Sequence, residues 1–344
     1  MNKRLAQSFS VVTLSLCSLT VTAAISNLTP ELEALPVLTQ EPQHAKSAKR
    51  IVNTYARNHY KKFTLDDNLS GKIFTRFLRN LDFNKNFFLA SDIKQFEKYA
   101  STFDDFLMIG DLSTAYKIYQ TNLERRESRL LYAISLLDNE YNFNKADDKF
   151  YYDREDAQWA VSISEMNELW RQRVKYDLLN LKLADKTLDE AKEILKKRYQ
   201  RNIKRLYQTN SEDVFQSLMN AFSRSIEAHT SYLSPRSAER FQMQMNLSFE
   251  GIGASLQIED EHTVVRKIIA GGPADKSGKL KPEDKIVGVG QEKGEIVDVV
   301  GWRLDEVVEL IKGPKGSIVK LQVLKGDSET KKYELIEFVR DKIK

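Results

Sequence analysis

The residues with the strongest claim to chemistry are backbone ones. Phe249-Glu250-Gly251-Ile252-Gly253-Ala254 opens a stretch with the alternation of a strand. Its glycines allow consecutive N–H groups to turn into one concavity, where a carboxylate accepts hydrogen bonds without ordering a charged side chain. An extended peptide could then lie along Ser255 to Ile258 as an added strand. Phe249, Ile252, Leu304, Val308 and Ile311 would hold a nonpolar terminal side chain, with Gly251, Gly253 and Ala254 supplying the backbone. On spacing alone the alternative stays open: the glycines form a plain turn and the apolar helix face is core.

The other candidates carry less. Ser91-Asp92-Ile93-Lys94 matches an SxxK pattern, but Ser91 is explained as a helix cap in a Lys-rich chain. His229-Thr230-Ser231 places a base next to a nucleophile in sequence, whereas a triad is assembled in space. Asp66-Asp67, Asp104-Asp105 and Asp147-Asp148 follow helix-start or loop logic. Gly288-x-Gly290-x-x-x-Gly294 has the wrong spacing for a dinucleotide loop, and no Walker-type loop occurs. With one Cys and four scattered His, no metal-ligand motif arises. No catalytic residue, metal or cofactor is assigned.

The elements that must position the loop are legible in glycine and proline. Of 14 Gly only Gly71 and Gly110 precede residue 251, and no Pro lies between Pro42 and Pro235. A long segment nearly without helix breakers is expected to be helical, and the glycine-rich remainder to form strands and tight turns. Leu188, Ala191, Leu195, Tyr199, Ile203 and Leu206 define one amphipathic helix. A second is expected from Ser211 as its cap, with a stripe of Val214, Leu218, Phe222 and Ile226. A third carries Tyr119, Leu123, Leu130, Ile134 and Leu137, and its Arg125, Arg126 and Arg129 are read as a solvated face.

Beyond Pro235, strands are expected around Ile252 to Ile258, Thr263 to Ile269 and Lys285 to Val289. A helix from Leu304 to Ile311 follows, stopped by Gly313-Pro314-Lys315-Gly316. Two strands joined by the turn Lys325-Gly326-Asp327-Ser328 complete a small β-barrel.

A net charge of +4 is small for this length and argues against a nucleic-acid binder. Lys3 and Arg4 precede an uncharged run whose apolar core, Val11 to Val21, is shorter than the roughly 20 residues of a membrane span. Val21-Thr22-Ala23, with Ala24 as a second choice, supplies a cleavage site, so residues 1–24 read as a secretory signal peptide. A lipoprotein signal at Cys17 fits less well, because Leu16 is bulky and the apolar run continues past it. Removal leaves a cysteine-free chain suited to an oxidising compartment, most simply a periplasm.

These segments resemble a known family. The Gly251–Ala254 loop, Ala270-Gly271-Gly272-Pro273-Ala274, the run from Asp284 to Gly290 and Lys312-Gly313-Pro314-Lys315-Gly316 resemble the PDZ domain of carboxy-terminal processing proteases. Gln208 to Phe215, Tyr232-Leu233-Ser234-Pro235-Arg236 and Val300-Gly301-Trp302-Arg303-Leu304-Asp305 are similar to the tail-specific periplasmic proteases of Gram-negative bacteria, as is Leu89-Ala90-Ser91-Asp92. Glu227-Ala228 departs from the family's Asp-Pro before His229.

The resemblance implies an α+β chain: a signal peptide at 1–24, an all-helical domain at 25–237 and a PDZ-type barrel with a peptide-binding helix at 238–340. It implies capture of nonpolar C-terminal tails of exported proteins, with room for peripheral membrane contact and no nucleic-acid or metal partner. The family's serine and lysine dyad lies in a module after the PDZ domain. The chain stops at Lys344, where that module should begin, so the chain as given is expected to cut nothing. A non-enzymatic periplasmic PDZ scaffold or adaptor is the alternative.

Overall fold

The computed structural model describes residues 34–144, 148–246, 249–259, 261–326 and 333–343. The expected signal peptide lies outside them, as do Asp327 and Ser328 of the expected final turn. No helix among the described residues is long and apolar enough to cross a membrane.

Nine helices lie in the described part of the first region: α1 (Pro42–Asn58), α2 (Asp67–Leu81), α3 (Ala90–Glu97), α4 (Phe103–Ile109), α5 (Ser113–Leu136), α6 (Ile163–Leu183), α7 (Leu188–Tyr207), α8 (Ser211–Ile226) and α9 (Pro235–Asn246). Their starts follow local chemistry. Asp66 caps α2 by accepting from Leu69 N, and Thr187 and Glu190 form a reciprocal capping box on α7. The expected stripes face inward: Ala191, Leu195, Tyr199, Ile203 and Leu206 of α7 are buried, as are Val214, Leu218, Phe222 and Ile226 of α8. Helix α8 lies against α2 and α5, and α7 against α5 and α6. Gly110 ends α4 at φ 73°, and a Cβ there would stand 2.8 Å from the carbonyl oxygen of Ala45, so α1 and α4 approach closely only over a glycine.

Three expectations need correction. Helix α8 is capped by Asn210, whose side chain accepts from Asp213 N while Asp213 accepts from Asn210 N; Ser211 is the first helical residue. Ser91 is likewise not a cap. It is exposed in the first turn of α3, where Asp92 accepts from Leu89 N at 2.9 Å. The arginines of α5 are not a solvated face: Arg125 grips Asp92 with two hydrogen bonds, Arg126 lies 4.9 Å over Phe87, and Arg129 donates to Asn167. Burial holds the Arg126 guanidinium below its ordinary pKa. The interleaved glutamates suggested solvent, but aliphatic stems and planar cations also pack well between helices.

The second region holds β1 (Phe249–Gly251), β2 (Ala254–Glu259), β3 (His262–Ile268), α10 (Pro273–Ser277), β4 (Lys285–Gln291), β5 (Val297–Asp298), α11 (Leu304–Ile311), β6 (Ile318–Leu324), β7 (Tyr333–Val339) and β8 (Asp341–Ile343). The main sheet runs β2-β3-β4-β6-β7, with β5 beside β4, and β1 pairs separately with β8. All its pairings are antiparallel. Val319, Leu321 and Val323 of β6 are fully buried, as their alternation requires. They share a core with Val265, Ile286, Val307 and Ile311.

Candidate functional site

The loop that opens β2 is clamped through its carbonyls. Ile252 O accepts from Ala274 N at 2.8 Å, and Gly253 O accepts from Ile269 N at 2.8 Å. The chain contains no cis peptide among the described residues. In a planar trans peptide the N–H points opposite to the carbonyl. The N–H of Gly253 is therefore turned away from Ala274, and that of Ala254 away from Ile269. Gly253 N and Ala254 N are thus two consecutive donors turned away from the segment that clamps the loop, and neither has a protein partner among the described residues. This is an anion-binding nest built without a side chain.

Glycine is required for it. Gly253 has φ 78°, and a Cβ there would meet the Cα of Gly272 at 3.2 Å and Cδ1 of Ile343 at 3.3 Å. The loop thus packs on the Gly271-Gly272 segment behind it and on β8 beside it.

From this loop β2 runs with β3 on one edge; among the described residues no strand pairs with its other edge. Helix α11 packs against β2. An unpaired strand edge flanked by a helix is a receptor for an extended peptide. The expected wall residues divide by depth. Ile252 and Ile311 are core, at 3% and 4% exposure, while Leu304 and Val308 are half-buried on the wall. Gly251 and Gly253 are buried and Ala254 half-buried. The backbone of Phe249 pairs with Ile343, but its side chain lies outside what is described.

Two structural supports were not visible in sequence. Buried Arg340 donates Nε to Ile311 O at 2.8 Å and Nη2 to Leu310 O at 3.0 Å, satisfying carbonyls at the end of α11. It also reaches Ser317, Ile318 and Gln291, and burial lowers its pKa. The second support joins the two regions, which belong to one compact unit, Leu35–Lys344. Arg303 Nη1 lies 2.8 Å from Asp213 Oδ2 and 3.2 Å from Gln208 O; Gln208 Nε2 donates to Gly301 O at 2.6 Å; Lys204 pairs with Glu261 at 2.6 Å. The hydrogen bond that Arg303 donates to Asp213 raises the pKa of its guanidinium. Between 57 and 95 residues separate these partners, and no local signal announces them.

The remaining sequence candidates do not converge. Ser91 and Lys94 lie exposed on α3. His229 is 93% exposed and held only by Glu227 among the described residues.

Comparison with known proteins gives this arrangement a context. Residues 51–236 match the tail-specific protease N-terminal domain. The chain belongs to the tail-specific protease family. Residues 240–324 match the PDZ domain, so the groove between β2 and α11 is that of a PDZ domain. The tail-specific protease of Haemophilus influenzae is 46% identical over 318 residues, covering 92% of this chain and 45% of that protein. The carboxy-terminal processing protease CtpA of Bacillus subtilis is 35% identical over 97 residues, covering 28% of this chain and 20% of that protein. The chain thus spans less than half the length of these relatives. A solved structure of the PDZ domain of the carboxy-terminal protease from Vibrio cholerae, in complex with peptide, is 57% identical over 28% of this chain and 98% of that one, with a TM-score of 0.27.

Proposed function

We propose that this chain is the helical and PDZ portion of a periplasmic tail-specific serine protease, exported by its first 24 residues, that recognises nonpolar carboxyl termini of exported proteins for degradation or processing. The observation that carries the reading is the carbonyl clamp on Ile252 and Gly253, which aims consecutive N–H groups away from the body of the domain at the start of an unpaired strand edge. A terminal carboxylate fits that nest. The preceding residues would pair with β2, and the terminal side chain would rest against Val308 of α11. Arg340, by holding the end of α11, keeps that wall in place.

Membership of a protease family favours recognition ahead of cleavage over a free-standing scaffold or adaptor. The test is a titration of a peptide ending in free-acid Leu-Ala against its C-terminal amide. Charge-assisted hydrogen bonds to a carboxylate contribute about 1.5–3 kcal/mol, so the amide is expected to bind at least about tenfold more weakly.

A further inference from the structure

The groove does not end at the rim of the PDZ domain. At the far end of β2, Ile258 lines a cleft of about 610 Å³ together with Leu304 of α11 and residues of the helical domain, Arg201, Lys204, Arg205 and Asp213 among them. Ile258 and Leu304 therefore belong to both the groove and the cleft. The carboxylates that line it are already engaged: Glu261 by Lys204, Asp213 by Arg303, and Asp305 by Arg236. Arg201 and Arg205, one turn apart on α7, are exposed and have no ion-pair or side-chain hydrogen-bond partner among the described residues. The cleft thus carries an uncompensated positive charge where the groove runs into it.

We infer that Arg201 and Arg205 form a second recognition site, on the helical domain, for acidic side chains upstream of the carboxyl terminus of a bound tail. The inference rests on the groove reading, since only a tail anchored at the Gly253 loop and running along β2 is delivered to α7. A peptide strand advances about 3.3 Å per residue, the same as the strand it joins. With the terminal residue beside Ala254, about the fifth residue from the end stands beside Ile258, and about the sixth and seventh enter the cleft. Guanidinium groups suit carboxylates there because their forked donors grip both oxygens. Specificity would then have two parts, a nonpolar end read by the PDZ domain and an acidic segment read by α7.

The test uses the whole chain and labelled peptides about twelve residues long, made of Gly, Ser and Asn and ending in Leu-Ala. They carry either two Glu or two Lys at the sixth and seventh positions from the end, each as free acid and as amide. The Glu free acid is expected to bind about three- to tenfold more tightly than the Lys free acid at low salt, with the difference shrinking in high salt. The R201E/R205E variant should invert the preference, and R201K/R205K should keep most of it. Both positions are exposed, so neither variant is expected to disturb folding, and far-ultraviolet circular dichroism checks that. Equal binding of Glu and Lys tails with acid–amide discrimination intact overturns the second site alone. Loss of acid–amide discrimination overturns the groove reading, and the second site with it.

Discussion

Arg303, the N-cap residue of α11, and Asp213, in the first turn of α8, meet through Nη1–Oδ2 at 2.8 Å and Nη2–Oδ1 at 3.4 Å. One carboxylate thus completes the capping box of a helix in one domain and holds the start of the groove helix in the other. Both side chains are about a third exposed, so solvent weakens the pair. A double-mutant cycle of Asp213→Asn and Arg303→Gln, read by urea unfolding of the whole chain, is expected to give a coupling of about 0.5–1 kcal/mol. A coupling indistinguishable from zero would make the contact incidental to how the PDZ domain is held.

Gly253 should tolerate no side chain. At φ 78°, with Gly272 and Ile343 within 3.3 Å of a Cβ, even Gly253→Ala is expected to cost about 1–3 kcal/mol of stability. Gly253→Val should in addition obstruct the nest and weaken free-acid peptide binding. Thermal melts and titrations that match the wild type would mean that the loop is looser than its carbonyl clamp implies.

Neighbouring residues on α11 should separate binding from folding. Val308 is half-buried on the wall, whereas Val307 is fully buried in the core. Val308→Asp is expected to weaken binding of the free acid by placing a carboxylate beside another, with little loss of stability. Val307→Ala is expected to cost about 1–3 kcal/mol through the cavity it leaves. If Val308→Asp binds the free acid as well as the wild type does, the wall lies elsewhere.

Much of this architecture was legible because its signals are local. The gap in Gly and Pro before residue 251 outlined the helical domain, and the stripe from Ala191 to Leu206 marked α7 before any contact was known. The alternation of Val319, Leu321 and Val323 is that of a strand with one buried face, and all three are fully buried. Signals failed where the deciding partner is distant or nearly equivalent. Asn210 and Ser211 can each cap a helix, and only the turn geometry selects the first. The pairing of β1 with β8 joins three-residue segments too short to show periodicity. Arg125 and Arg126 turn inward because Asp92 and Phe87 wait there, which spacing along α5 cannot disclose. The loop glycines could be named from sequence, but the direction of their N–H groups follows from Ala274 and Ile269.

The helical domain should show an acid limit set by Asp148. This carboxylate, 6% exposed, accepts from Arg171 and Lys175, and those hydrogen bonds hold its pKa well below the usual carboxylate range. A depressed folded-state pKa contributes stability above the unfolded value, near 4, and that contribution fades as pH falls toward the folded value. Asp148→Asn is therefore expected to be destabilising by about 3 kcal/mol at pH 7, and the gap to wild type should narrow steadily below about pH 4. A gap that stays constant down to pH 2 would assign the loss to packing rather than to charge.

The most direct test of the central claim is the equilibrium titration of the whole chain with one nonpolar-tailed peptide in two forms, free acid and C-terminal amide. The N–H groups of Gly253 and Ala254, turned outward by the clamp at Ile252 and Gly253, should favour the free acid by about tenfold or more. Equal affinity for the two forms would show that residues 251–254 are only a turn, and would contradict the assignment of the β2–α11 groove to carboxyl termini.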